Sequence, residues 1–270
     1  MPPKTLIVLL IGILFISLFY YYSKLNSGNP FTEDAPKDNS LERVLSSKEL
    51  RVGSALEELP WGKVDPKTGK EIGAEVEIAK LVADKLSVKL VLVNKGFDYL
   101  LPDLLNKQYD VVIAGMSITN ERKKLVNFTG PYLTTGLSII VRKDNQSIKS
   151  VSDLEGKKVG TLSGTTSHEF LQTLKNVDVR AYDDPGKYIT ETINGNIDAT
   201  VYDATAANNY LKENPSLKVT GDLLKKEQYG MAVRKGDVML LNELNLIISE
   251  IKDSDEFKKI IQEWYGPSVE

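Results

Sequence analysis

The feature that most constrains the fold is an alternation of strand-like and helix-like segments that runs through the chain twice. Between residues 50 and 141, apolar runs such as 88–93 (VKLVLV) alternate with stretches of helical spacing such as 74–86. The same order restarts at residue 158 and continues to residue 202. Strands that alternate with helices in this way predict right-handed βαβ units and largely parallel sheets.

Two successive runs of this kind predict an α/β protein with two lobes. In such folds, ligands bind at the carboxyl ends of the strands, where loops meet the N-termini of helices. The cleft between the lobes is therefore the expected site.

Before the first run, residues 6–22 (LIVLLIGILFISLFYYY) carry no charge and are almost wholly apolar. As a helix this run spans about 25 Å, which is at the short end for a bilayer core of about 30 Å. It ends in three tyrosines rather than at a small-x-small cleavage site. We predict an uncleaved signal anchor over residues 1–23, with a cleaved signal peptide as the alternative, and a flexible linker over residues 24–40.

Composition removes several classes of function. The chain has 34 Lys+Arg, 37 Asp+Glu and a net charge of −3, which argues against nucleic acid as the main partner. It has no cysteine, so disulfides, thiolate metal sites and a cysteine nucleophile are excluded. Its single histidine, His168, argues against a histidine-based metal site or a catalytic triad. We predict a binding protein without cofactor or metal, which acts as a monomer.

Five segments of the chain resemble, in order and spacing, one protein family. They are 110–122 (DVVIAGMSITNER) with 126–132 (VNFTGPY), 152–166 (SDLEGKKVGTLSGTT), 195–203 (GNIDATVYD), 229–236 (YGMAVRKG) and 263–266 (EWYG). This set is similar to the polar amino-acid family of periplasmic-type solute-binding proteins, which feed amino-acid ABC importers. The resemblance covers about residues 41–266.

The resemblance implies a two-lobed Venus flytrap of the type II periplasmic-binding-protein class. Lobe 1 would comprise residues 41–131 and 230–270, and lobe 2 residues 137–224. Residues 132–136 and 225–229 would be the hinges. The cleft would close on a ligand and the closed form would dock on a permease that works with an ATPase, outside the cytoplasmic membrane and tethered to it through residues 6–22.

An amino-acid ligand presents a carboxylate and an ammonium, and the chain offers a group for each. A guanidinium holds a carboxylate by two parallel donors, so Arg122 is the candidate, with Ser117 and Gly115 beside it. Thr165 and Thr166 follow a strand and precede a helix, where they could clasp the same carboxylate from the other lobe. By resemblance, Asp203 receives the ammonium. The alternatives are a surface role for Arg122 and helix capping for the threonines and the aspartate.

Aromatic side chains would grip the ligand's side chain. The resemblance places Phe97 and Trp61 there, and core packing is the alternative for both. The chain departs from the common family pattern after its first strand, where Ala55 and Glu58 replace an aspartate and a stacking aromatic. An acidic rim of Glu57 and Glu58 favours a basic or amide side chain, unless these residues face water.

We therefore predict the extracytoplasmic substrate-binding component of an ABC transporter for a polar L-amino acid. Two alternatives remain: an enzyme of the same fold, similar to a cyclohexadienyl or arogenate dehydratase, and a sensory domain without transport. The dehydratase needs a general acid in the cleft, for which only Glu57 or Glu58 is available.

Overall fold

The computed structural model of the chain describes residues 38–266. The predicted signal anchor and nearly all of the predicted linker lie outside these residues. Within the described part, no helix combines the length and the apolar character needed to cross a membrane.

The strands are β1 (Glu49–Ser54), β2 (Glu57–Glu58), β3 (Gly62–Val64), β4 (Glu71–Ile72), β5 (Lys89–Asn94), β6 (Val111–Val112), β7 (Val126–Phe128), β8 (Leu133–Arg142), β9 (Lys158–Leu162), β10 (Asp178–Tyr182), β11 (Ala199–Asp203), β12 (Leu217–Tyr229) and β13 (Ala232–Arg234). The helices are α1 (Ser40–Ser47), α2 (Ala74–Lys85), α3 (Leu100–Leu105), α4 (Asn120–Leu125), α5 (Thr166–Thr173), α6 (Pro185–Asn194), α7 (Ala204–Glu213), α8 (Val238–Ile251) and α9 (Asp255–Trp264). Short 3₁₀ helices cover Phe97–Tyr99 and Val151–Leu154.

Two five-stranded sheets carry the two lobes. The first has the order β5-β1-β6-β13-β7, and the second has the order β10-β9-β11-β8-β12. Each sheet contains a parallel half, β5-β1-β6 in the first and β10-β9-β11 in the second. The parallel strands follow from βα alternation, because a helix returns the chain to the same end of the sheet.

The other half of each sheet is antiparallel, which the prediction of largely parallel sheets missed. β13 runs against β6 and β7, and β8 runs against β11 and β12. The physical reason is the path of the chain. β8 and β12 pair along most of their length, from Leu133↔Tyr229 to Arg142↔Leu217, because one carries the chain out of the first sheet and the other carries it back.

The loops that form the cleft begin where the strands end. Alternating βα order places the segments after β1, β6, β9 and β11 at strand carboxyl ends, and the helices α4, α5 and α7 start from three of these loops. The predicted hinge segments 132–136 and 225–229 fall at the start of β8 and the end of β12. The exact lobe boundaries remain a prediction.

The small sheet β2-β3-β4 extends the first lobe toward the cleft. Its turn is fixed by Asp65, whose side chain accepts hydrogen bonds from Lys67 N at 2.9 Å and Thr68 Oγ1 at 2.7 Å. It is joined to the start of α2 by the bonds from Ala74 N to the Pro60 carbonyl and from Glu75 N to the Trp61 carbonyl, at 2.8 and 2.9 Å. The small sheet therefore moves with α2, which packs on β1 and β5.

Candidate ligand-binding site

A cavity lies between the two sheets, at a usual place for a small-molecule site. The structure brings all nine predicted site residues to its wall: Glu58, Trp61, Phe97, Gly115, Ser117, Arg122, Thr165, Thr166 and Asp203. Glu57, Ala55, Ala114, Leu162 and Tyr202 complete the lining. Both sheets contribute residues, so closing or opening the lobes changes the cavity itself.

Arg122 enters the cavity from the first turn of α4. Thr119 caps that helix and accepts a hydrogen bond from Arg122 N at 3.1 Å, as its sequence position predicts. The guanidinium donates to the Ser117 carbonyl at 3.0 Å and to the Gly164 carbonyl at 3.3 Å, and its Cζ lies 5.4 Å from the centroid of Phe97. It is therefore oriented by carbonyl oxygens and an aromatic face.

The buried guanidinium of Arg122 is hydrogen-bonded to backbone carbonyls and not to a carboxylate of the described residues. Arg122 is 8% exposed, and desolvation lowers its pKa from the ordinary value, although Glu169, Glu227 and Asp203 act in the opposite direction. The hydrogen bonds described for it go to neutral acceptors. A buried cation in this state is stabilised by any carboxylate that enters the cavity and accepts from it.

The second sheet brings an acidic group, Asp203, to the same cavity. It ends β11, is 7% exposed and accepts a hydrogen bond from Tyr229 Oη to Oδ1 at 2.5 Å. Its side chain makes no capping bond to α7, so the N-cap alternative does not describe its hydrogen bonding. Burial, assisted by the charge of Glu227, raises the pKa of Asp203 to about 8. A ligand ammonium would stabilise its ionised form.

The hydroxyls of Ser117 and Thr166 share one acceptor that was not predicted. Ser117 Oγ and Thr166 Oγ1 donate to the same atom, Glu227 Oε2, at 2.7 and 2.8 Å. Glu227 lies on β12 and is 5% exposed. Because both hydroxyl hydrogens are directed at Glu227, the two oxygens offer lone pairs to the cavity. As arranged, they are acceptors for an ammonium rather than donors to a carboxylate.

Thr165 caps α5, a role that is compatible with a ligand contact. Its Oγ1 accepts from His168 N at 3.3 Å and donates to the Leu162 carbonyl at 2.7 Å. Capping with Thr165 satisfies the N–H of His168, and the first-turn N–H groups of α5 have no acceptor within the helix. The helix N-terminus adds donors for an anion there.

Trp61 forms one wall of the cavity and also belongs to the core. It is 8% exposed and meets Tyr202 edge to face, with ring centroids 5.8 Å apart. Gly115 lies directly against its indole: a Cβ on Gly115 would fall 2.3 Å from Trp61 Nε1, and Gly115 has φ of +58°. Only glycine fits this loop, because it meets both the positive φ and the close approach.

The two acids of the rim differ in their surroundings. Glu57 is exposed, while the carboxylate of Glu58 accepts from Tyr202 Oη at 2.6 Å and from the hydroxyl of Tyr210. Burial raises the pKa of Glu58 to about 7, although the tyrosine hydrogen bonds lower it. Glu58 therefore does not simply face water, which was the alternative to a role in selecting the ligand.

Two polar residues of the site escaped the sequence analysis. Tyr202 lines the cavity, and Glu227 holds the two hydroxyls. Tyr202 immediately precedes Asp203 at the end of a strand, a position that could have indicated it. Glu227 stands in the charged run 225–227 (KKE), which reads as a solvated face, and nothing in this run signals its burial.

The chain matches a known protein family over most of its length. Residues 50–267 match the family model described as bacterial extracellular solute-binding proteins, family 3. The chain belongs to this family. Membership confirms the resemblance found in the sequence and the two-lobed α/β fold.

Relatives of this family-3 chain are named as amino-acid-binding proteins. The L-cystine-binding protein TcyJ of Escherichia coli (strain K12) is 40% identical over 74% of this chain and 77% of TcyJ. The P235GK mutant of ArgBP from T. maritima is 37% identical, with a TM-score of 0.79 over 84% of this chain and 99% of that one. An ancestral arginine-binding protein bound to arginine is 40% identical, with a TM-score of 0.77 over 81% and 99%.

Proposed function

We propose that this family-3 protein is the extracytoplasmic substrate-binding component of an ABC importer for a polar L-amino acid. The observation that carries the proposal is the pair Arg122 and Asp203, a buried cation and a buried acid brought to one cavity from different sheets. An α-amino acid places its carboxylate and ammonium at a fixed separation, so it can compensate both charges at once. The names of the relatives support the same ligand class.

In the proposed complex, Arg122 and the first-turn N–H groups of α5 hold the ligand carboxylate. Asp203 receives the ammonium, together with the lone pairs of Ser117 and Thr166 that Glu227 leaves free. Phe97 and Trp61 contact the side chain. Because these groups come from both sheets, the ligand binds the closed form better than the open form and drives closure about the hinges 132–136 and 225–229.

A basic or amide side chain fits the acidic rim best. Three acids, Glu57, Glu58 and Asp203, lie in the cavity wall with a single base, Arg122, so acidic groups outnumber basic ones there. A cationic side chain offsets one of them, whereas an acidic side chain adds repulsion. L-arginine and L-glutamine are therefore expected to bind more tightly than L-glutamate.

The test is binding by the full chain, purified in mild detergent, unfolded and refolded to remove carried-over ligand. Isothermal calorimetry with L-arginine, L-cystine, L-glutamine and L-glutamate should give saturable binding with the order of side chains above. Arg122→Ala should weaken binding of the same amino acid by about 30-fold or more, since loss of one partner of a buried charge pair costs about 2–5 kcal/mol. No binding of any amino acid, or full affinity in Arg122→Ala, would overturn the proposal.

We also propose that residues 1–23 anchor the protein to the cytoplasmic membrane and that residues 24–40 form a flexible tether to the two lobes. Lobe 1 would comprise residues 41–131 and 230–270, and lobe 2 residues 137–224. The proposal rests on the uncharged run 6–22. A monomer on such a tether would meet its permease and ATPase partners at a raised local concentration. Extraction of membranes at alkaline pH should leave the full chain in the pellet. A chain released to the supernatant, with an N-terminus after residue 23, would favour the cleaved, periplasmic form.

The protein is proposed to be a receptor rather than an enzyme, because the relatives above are named as binding proteins. The dehydratase alternative needs turnover. Incubation with prephenate and with arogenate should leave both compounds unchanged.

A further inference from the structure

The carboxylate of Glu58 spans the cleft. Glu58 lies on β2, in the small sheet that is joined to α2 of the first lobe. Tyr202 lies on β11 of the second sheet and donates to Glu58 Oε1 at 2.6 Å, while Tyr210, on α7, donates to Oε2. Both oxygens of an acid from one side are therefore held by hydroxyls from the other side.

The tyrosines are arranged within the second lobe itself. Tyr188 on α6 places its hydroxyl 3.1 Å from that of Tyr210, and its ring centroid lies 5.0 Å from that of Tyr202. Tyr188 and Tyr202 are also buried, at 0% and 3% exposure. The two hydroxyls that donate to Glu58 are thus positioned by contacts among residues of one lobe.

Tyr210 is outside the wall of the amino-acid cavity, so its bond to Glu58 can act on closure without touching the ligand. We propose that Glu58, Tyr202 and Tyr210 form an interlobe latch that closes part of the protein population before any ligand binds. This inference rests on the proposed function, because the latch closes the same cleft. It assigns Glu58 a positioning role in addition to its place in the acidic rim, and through Tyr210 the latch changes the affinity for every ligand by a common factor.

The latch responds to pH through the groups around it. The charged groups around Glu58 are Glu57 on its own strand, Asp184 at the start of α6 and Asp203 at the end of β11. Lys63 and Glu213 line a second groove together with Glu58 and Tyr210. Burial is the largest cause that raises the pKa of Glu58 to about 7, and the charges of Glu57 and Asp184 act in the same direction.

In the open form Glu58 loses this burial and returns toward its ordinary pKa of 4.5. Closure is therefore coupled to the uptake of a proton between about pH 4.5 and pH 7. The population of the closed form increases as the pH falls. A protonated carboxyl still accepts from one tyrosine and donates to the other, so the latch survives protonation.

Distances between the lobes measure the latch directly. The chain has no cysteine, so Lys80→Cys and Lys175→Cys, two exposed positions on different lobes, give a unique spin-label pair in the full chain in detergent. Electron–electron double resonance without ligand at pH 6 should show two distances between the spin labels, a short one from the closed form and a long one from the open form. The ratio of their populations is the short-to-long ratio. Tyr210→Phe should lower the short-to-long ratio about fivefold, the effect of losing one hydrogen bond of about 1 kcal/mol.

The matched control is Tyr182→Phe, which removes the hydroxyl of a second-lobe tyrosine outside the latch. It should leave the short-to-long ratio unchanged.

Raising the pH from 5.5 to 8 should lower the short-to-long ratio in the parent chain, and Glu58→Gln should reduce that change. A parent chain with only the long distance, or a ratio unchanged in Tyr210→Phe, would overturn the latch.

Calorimetry separates the latch from direct recognition. Tyr210→Phe should raise the Kd for L-arginine and for L-glutamine by one common factor of about fivefold or less. Factors that differ between the two amino acids would show contact with the ligand's side chain and contradict the latch. If no amino acid binds, the proposed function fails, but the ligand-free distances still decide whether the latch exists.

Discussion

At the scale of single residues, the cleft holds more buried acid than base. Asp203 is the clearest case, since burial and Glu227 raise its pKa to about 8. A group whose pKa is raised by folding contributes its full stability below the unfolded value, 3.8, and loses it as the pH rises through 8. The ligand-free protein is therefore least stable where Asp203 is ionised, which is the state that receives an ammonium.

Asp203→Asn should separate stability from binding. We expect a higher midpoint of thermal unfolding for the ligand-free variant at pH 9, because an uncompensated buried charge is removed, and a smaller difference at pH 6. Affinity for L-arginine should fall about 30-fold or more through loss of the ammonium partner. Differential scanning fluorimetry and calorimetry measure the two effects. Equal midpoints at pH 9 would show that Asp203 is not strained in the folded chain.

Glu75 gives a second pH effect that does not depend on the cleft. It is fully buried at the start of α2 and accepts from Tyr132 Oη at 2.8 Å and from Tyr265 Oη at 2.5 Å. Burial nevertheless raises its pKa from 4.5 to about 7. Its contribution is present in full below pH 4.5 and is lost as the pH rises through 7, a change of about 3 kcal/mol.

Glu75→Gln should therefore flatten the fall in stability between pH 5 and pH 8. Urea unfolding at several pH values measures the slope, and the exposed Glu256→Gln serves as the control for loss of one charge. The parent slope retained in Glu75→Gln would assign the pH dependence to other acids, such as Glu58 and Asp203.

At the scale of the elements, the site is built from loops that follow strands, and one of them depends on a glycine. Gly115 after β6 and Gly156 before β9 both have positive φ, +58° and +73°. A Cβ on Gly115 would meet Trp61, whereas nothing lies within 4 Å of a Cβ on Gly156. An alanine would therefore be strained by the positive φ at both positions, but only at Gly115 would it also clash with Trp61.

Gly115→Ala should thus weaken amino-acid binding by about tenfold or more, because the alanine displaces Trp61 or the loop that carries Ser117. Gly156→Ala should retain the parent affinity and lose about 1 kcal/mol of stability from the left-handed backbone alone. Calorimetry and urea unfolding of both variants make the comparison. Equal affinities in the two variants would show that the approach of Gly115 to Trp61 does not shape the site.

Much of this element structure could be predicted from local pattern. Periodicity predicts a strand over 88–93 and a helix over 74–86, and the structure has β5 at Lys89–Asn94 and α2 at Ala74–Lys85. The sequence analysis predicts no strand over residues 217–224 of β12, because Gly221 and Asp222 interrupt its apolar pattern and its pairing with β8 is set by the tertiary path.

The site divides in the same way. Residues at strand ends and helix starts, such as Arg122 and Asp203, could be found from the sequence because their positions in the elements place them in the cleft. Glu227 could not, since its burial depends on Ser117 and Thr166 approaching from opposite sides. The hydrogen-bonding sense of those hydroxyls follows from Glu227, so it was also beyond the sequence.

At the scale of the whole molecule, the mouth of the cleft brings the lobes into direct contact. Asp98, in the 3₁₀ helix of the first lobe, packs against Gly164 after β9 of the second lobe. Asp98 Cγ lies 2.7 Å from the position that a Cβ would take on Gly164. A pair of cysteines at 98 and 164 is therefore within reach of a disulfide in the closed form and not after hinge opening.

Asp98→Cys with Gly164→Cys should accordingly act as a lock on the closed protein. Because the parent chain has no cysteine, only this bond can form. Oxidation in the presence of radiolabelled L-arginine should slow ligand release about 100-fold or more, since release requires the lobes to part, and a reductant should restore the parent rate. The single variant Gly164→Cys controls for strain at φ of +67°. Rapid release from the oxidised double variant would mean that the ligand leaves without hinge opening, and the flytrap mechanism would then be wrong for this protein.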